Sequence, residues 1–306
     1  MRVHLLAGVS VVSSRPSPTS RPSPGSRMKT TSPTDILPRH ATARAFLFLL
    51  ASVAVLVLAG GLKGFVPVAW GPFVWGSAST LLLVALTRVV LRSEQRRPDT
   101  VGLAIEASSV GRLSAGIAIG VALYALNVLV VLLVAGPVGV EPAAGRNAGT
   151  FALLMATLLS LAAMEEVGFR GYPLRTLAQS IGTWKAQVVV ALAFGLAHIA
   201  YGWSLSAVTF GVLPSALLFG VAAMASRGLA LPIGVHAGVN MASRSLGEHD
   251  AVGLWTLVVG EAARGRIAAV APWTSAGITV LGAALLWWVY PRPRPREDRD
   301  PLRRPT

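Results

Sequence analysis

The chain has 306 residues, of which 53% are hydrophobic and 13% charged, and its mean hydropathy is +0.62. A water-soluble globule carries about 25% charged residues, so this composition excludes one. The absence of cysteine excludes disulfides, thiolate metal sites and a cysteine nucleophile. The net charge of +14 gathers at the termini and in alternate connections, the pattern that sets membrane topology, and this argues against nucleic acid as a partner.

In chain order, residues 1–40 are rich in Ser, Pro, Thr and Arg and cannot bury apolar surface, so they read as a disordered tail. From Ala43 onwards, eight hydrophobic stretches approach the length of a bilayer core, near 43–62, 66–91, 112–135, 149–178, 183–200, 204–226, 229–246 and 267–290. Residues 291–306 form a basic C-terminal tail. Basic residues fall in the first tail, in the 92–112 connection (Arg92, Arg96, Arg97, Arg112), at Arg175 and Lys185, at Arg227 and in the last tail. The opposite connections hold Lys63, Glu141 with Arg146, no charge near 202, and a mixed-sign loop at 244–266. Both termini are therefore expected on the cytoplasmic side of a multi-pass protein of the cell membrane. The fold class is an all-α polytopic membrane protein of about eight transmembrane helices enclosing a polar cavity. The pairs Gly116/Gly120 and Gly234/Gly238 have the spacing that lets helices approach closely.

The fourth stretch holds Glu165 and Glu166, with Arg170 one helical turn beyond Glu166. Ionisable groups inside an apolar segment cost roughly 2.5–3.5 kcal/mol each on insertion and mark a functional site by default. His198 lies in the fifth stretch, and His236 and Asn240 share one helix face in the seventh. If the fourth and fifth helices form a hairpin turning near Ser180–Gly182, Glu165 and His198 fall within roughly 3 Å of the same depth. Singly, these residues read as an interface end, a packing histidine and an interhelical amide; on three separate apolar helices they read as a site. A carboxylate beside a histidine can deprotonate water, and a histidine with an asparagine can stabilise an oxyanion. One Glu and two His (Glu165, His198, His236) also make a plausible zinc set, although HExxH is absent. Proton-coupled transport could use the same groups.

Glu165-Glu166-Val-Gly-Phe-Arg170 resembles the EExxxR motif of the CAAX-protease and bacteriocin-processing (Abi) family. Phe194-Gly-Leu-Ala-His198 is similar to its FxxxH motif, and His236-Ala-Gly-Val-Asn240 to its HxxxN motif. The resemblance covers about 145–245. It implies an intramembrane endopeptidase with a cavity opening toward the cytoplasm. Glu165 and His198 would then activate water, His236 and Asn240 would hold the oxyanion, and Glu166 and Arg170 would shape the site. No cofactor is required in this reading, and a divalent metal such as zinc is the alternative. The partner is a protein or peptide substrate, whether lipid-modified or membrane-anchored, because the family includes both trimmers of prenylated CAAX proteins and proteins of bacteriocin maturation or self-immunity. Rival readings are a non-catalytic scaffold or immunity protein and a proton-coupled transporter. Tyr201 and Trp203 read as interfacial anchors, and His249 with Glu248 and Asp250 as a polar loop.

Overall fold

A computed structural model of the chain describes residues 40–136, 138–144, 147–247 and 253–289. The two tails, Arg146 and the 248–250 loop lie outside the described residues. The backbone is almost wholly helical, as lipid demands of any segment that must satisfy its own N–H and C=O groups. The long helices are α1 (Ala41–Gly60), α2 (Gly71–Ser93), α3 (Ser109–Ala135), α4 (Ala148–Glu166), α5 (Tyr172–Ile181), α6 (Thr183–Ala200), α8 (Leu213–Ser226), α9 (Ala230–Ser245) and α10 (Glu261–Val289). The short α7 (Leu205–Ala207) leads through a π-helical turn, Val208–Val212, into α8. A second π-helical turn, Val167–Gly171, joins α4 to α5.

Seven helical segments are long and apolar enough to cross a bilayer, counting α4 through α5 and α7 through α8 as one each. The eighth expected span is α9. It has 16 residues, about 24 Å of rise against a core of about 30 Å. It is a short inner helix, buried along Leu231, Pro232 and the run Gly234–Gly238.

What surrounds α9 explains how a short polar helix persists there. Gly116 and Gly120 of α3 interleave with Gly234 and Gly238 of α9. A Cβ at Gly116 would collide with the Leu231 carbonyl and lie 2.9 Å from the Gly234 Cα. One at Gly238 would collide with the Ile117 carbonyl and lie 2.9 Å from the Ile117 Cα. The two backbones therefore touch, and the small residues are what permits it. A similar seam joins α2 to α4, where Thr80 Oγ1 donates to the Gly76 carbonyl at 2.8 Å and a Cβ at Gly76 would meet Ser160 Oγ at 2.6 Å.

The α5–α6 turn falls at Gly182, whose φ of 88° only glycine adopts readily. It is the hairpin expected near Ser180–Gly182. The helix does run past Arg170, but through the π turn. Pro173 sits in the first turn of α5, where its missing N–H costs nothing. The buried Ser52 of α1 donates to the Gly168 carbonyl at 3.3 Å, satisfying a backbone group in that turn.

One end of the bundle is tied by arginines. Glu94, whose side chain is fully buried, pairs with Arg44 and Arg96 at 3.2 Å each. Arg96 also donates to Thr176 and Gln179 of α5. Arg175 donates to the Ala223 carbonyl at 2.8 Å and the Gly228 carbonyl at 3.4 Å. The opposite end carries the α1–α2 and α6–α7 connections, and a two-stranded antiparallel ribbon, β1 (Gly139–Pro142) with β2 (Trp255–Val258), that pairs the α3–α4 and α9–α10 connections. Sequence periodicity gave no sign of this ribbon. Nor did it extend α10 back to Glu261, where the carboxylate favours the helix N-terminus and Arg266 donates to the Ala135 carbonyl.

The seam yields a stability prediction. Gly238→Val should force α9 off α3 and lower the melting temperature in detergent, since overpacking costs about 1–3 kcal/mol or more. Gly277→Ala in α10, where a Cβ meets nothing within 4 Å, should leave it unchanged or slightly raised.

Candidate active site

Four of the six expected side chains meet directly. Glu166, with no solvent exposure, accepts from Arg170 Nη1 at 3.3 Å and faces His236 Nδ1 at 2.9 Å through the same Oε1 atom. The Glu165 side chain is one-fifth exposed, and its Oε2 lies 3.7 Å from His236 Nε2. His236 is therefore held between adjacent carboxylates, one sealed and one open. The Oε2 atoms of both glutamates have no hydrogen-bond partner among the described residues, so both keep acceptor capacity.

Arg170 is fully buried and would be intolerable there without partners. Besides Glu166 it donates to the Ala216 carbonyl at 3.4 Å. Its guanidinium lies over the ring of Phe194 at 4.2 Å, with Phe219 and Phe169 near 5.7 and 5.9 Å. This aromatic cage replaces water around the cation. The π turn sits inside the motif itself, between Glu166 and Arg170, a frequent arrangement at functional sites.

His198 is fixed separately. Its Nδ1 lies 2.9 Å from the Phe194 carbonyl, which can only accept, so Nδ1 carries the proton and Nε2 of the neutral ring is bare. Phe194, expected to pack one turn before His198, does so at 4.4 Å and also stands edge-on to His236 at 6.5 Å. The two histidines thus flank one aromatic ring. Asn240, partly buried, follows His236 by one turn on the same face of α9.

Among the described residues, no group of three or more His, Asp or Glu side chains is placed to hold a metal ion. The zinc set Glu165, His198 and His236 is not gathered as such. His236 Nδ1 is engaged by Glu166, and the His198 ring is held by the Phe194 carbonyl with the Phe194 ring against it.

Three side chains gain a place that the sequence did not suggest. Phe219 stacks parallel on His236 at 4.4 Å with a 13° tilt, and the uniform apolar run of α8 gave no signal for it. Trp203 meets the His198 ring edge-on at 5.1 Å, and Tyr201 packs on Trp75 at 6.1 Å. The last two were read as interfacial anchors, yet their position two to five residues after His198 was a signal available in the sequence. Partial burial, and then the Glu165 charge, push the Tyr201 phenol above its ordinary range.

Residues 147–242 match the family described as Type II CAAX prenyl endopeptidase Rce1-like. The matched stretch begins at Asn147, which caps α4 by accepting from Gly149 and Thr150, and includes all six candidate residues. The family named there is one of endopeptidases acting on prenylated proteins, and the many apolar helices make this chain an integral membrane protein. No curated protein and no solved structure matches the chain.

The closed ion pair predicts an asymmetry between neighbours. Arg170→Ala leaves Glu166 buried and uncompensated and should cost about 3–5 kcal/mol, read as a lower melting temperature and folded yield in detergent. Glu165→Gln, at the partly exposed carboxylate, should leave the melting temperature close to wild type.

Proposed function

We propose that the chain is an intramembrane endopeptidase of the CAAX prenyl endopeptidase type, hydrolysing a peptide bond with an activated water. The observation that carries this reading is the pairing of unlike carboxylates. Glu166 is committed to Arg170 and His236, while Glu165 beside it is partly exposed and keeps an acceptor oxygen uncommitted.

In this mechanism Glu165 takes a proton from water, assisted by the bare Nε2 of His198. The hydroxide attacks the scissile carbonyl carbon. The oxyanion accepts hydrogen bonds from His236 and from the Asn240 amide. Collapse breaks the C–N bond as Glu165 returns the proton to the leaving amine. Glu166 and Arg170 act through His236: the Nδ1–Glu166 bond orients the ring so that Nε2 points to the open side of the site. The reaction needs no cofactor. A divalent metal is the alternative that a chelator test separates, with Glu165, His198 and His236 as its ligands after rearrangement. The substrate class is a peptide, prenylated or otherwise anchored in the membrane.

The test is cleavage of fluorogenic peptides by detergent-purified protein, with prenylated CAAX and unmodified membrane-anchored sequences compared. Glu165→Gln and His198→Ala should each lower kcat by about 100-fold or more. Activity that survives both substitutions would overturn the site, and loss on chelation would favour the metal mechanism. Because water activation requires Glu165 as a carboxylate, wild-type kcat/KM should fall as the pH is lowered. A profile flat into the acid range would remove Glu165 as the base.

A further inference from the structure

The candidate site is closed on one side and open on the other. Toward the arginine-rich end lies a layer of side chains with almost no exposure: Phe169, Arg170, Tyr172 and Leu174. Phe219 covers one face of His236. Beyond that layer, Arg96 ties α5 to Glu94, and Arg175 is bonded to carbonyls at the end of α8 and in the α8–α9 turn. A substrate arriving from that end would have to break these contacts.

The other end is built differently. His198 stands two residues before α6 ends at Ala200, so the α6–α7 connection lies directly over it. That connection supplies Trp203 against the His198 ring and Tyr201 against Trp75, both half-exposed at 42% and 47%. The Lys63 ammonium of the α1–α2 connection lies over the same Trp75 ring at 4.7 Å. The Glu165 charge acts on the Tyr201 phenol, which ties this rim to the open carboxylate. Aromatic faces with a single cation suit a peptide segment with apolar side chains.

We infer that the peptide bond reaches Glu165 past Tyr201 and Trp203, from the end of the bundle opposite the arginine-rich connections. The substrate is then a membrane-proximal polypeptide segment presented at the non-cytoplasmic face. This inference rests on the endopeptidase reading and on the charge rule for orientation. It runs against the cytoplasm-facing cavity that the resemblance implies.

The chain has no cysteine, so single cysteines report their own location. Tyr201→Cys and Trp203→Cys would be compared with Arg227→Cys, an exposed position in the α8–α9 turn. In intact cells, a membrane-impermeant maleimide should label positions 201 and 203 at least tenfold faster than 227, which should react only after permeabilisation. In purified protein, a bulky maleimide at 201 or 203 should slow peptide cleavage at least tenfold, and at 227 should not. Labelling of 227 but not 201 or 203 in intact cells overturns the inference. So does unaltered cleavage after complete modification of both 201 and 203. Total labelling in detergent reports whether each variant is made. The intact-cell labelling needs no catalysis. A chain that cleaves nothing therefore sinks the endopeptidase reading, while the labelling still decides the side on which the rim lies.

Discussion

The structure is organised around one buried carboxylate. Glu166 has no exposure, and a lone charge at that place would cost several kcal/mol. Its compensation comes from two directions at once, Arg170 from its own segment and His236 from α9. Arg170 in turn needs its cage of Phe169, Phe194 and Phe219 and the Ala216 carbonyl. Four helical segments, α4 with its π turn, α6, α8 and α9, are thereby committed to one charge pair. The pair is a poor source of net stability, but it admits few alternative packings.

The apolar contacts supply what the charges cannot. The α3–α9 glycine seam brings two backbones into contact and sets the height of α9. A shift of one helical turn along that seam would carry His236 away from both glutamates and leave Glu166 with Arg170 alone. Phe219 and Phe194 then lock the imidazole plane from two sides. The polar site thus inherits its precision from small residues and aromatic rings that take no part in proton transfer.

Much of this was legible in the sequence because lipid penalises polar groups so strongly. Glu165, Glu166, His198, His236 and Asn240 stand out against apolar neighbours, and the i,i+4 spacings join Glu166 to Arg170 and His236 to Asn240. The apolar runs delimit most helices for the same reason. The π turn was not legible, because it depends on tertiary support such as the Ser52 hydroxyl on the Gly168 carbonyl and not on any local residue preference. Phe219 is one apolar residue among many on α8. The β1–β2 ribbon joins segments more than a hundred residues apart, and neither strand alternates strongly enough to announce itself. The length of α9 was misjudged because hydropathy measures affinity for lipid, whereas this helix is covered mainly by protein.

That last feature bears on how the molecule is made. A helix of 16 residues carrying a histidine, an asparagine and an arginine has little drive to enter a bilayer alone. Its favourable contacts are with α3, α4 and α8, all earlier in the chain, so it can settle only into a bundle that already exists. Biogenesis then has a built-in order: the helices that bear Glu165 and His198 are threaded first, and His236 and Asn240 arrive afterwards to close the constellation. A nascent chain stalled before α9 would carry its carboxylates without the donors opposite them, and would be inert until translation moved past that point.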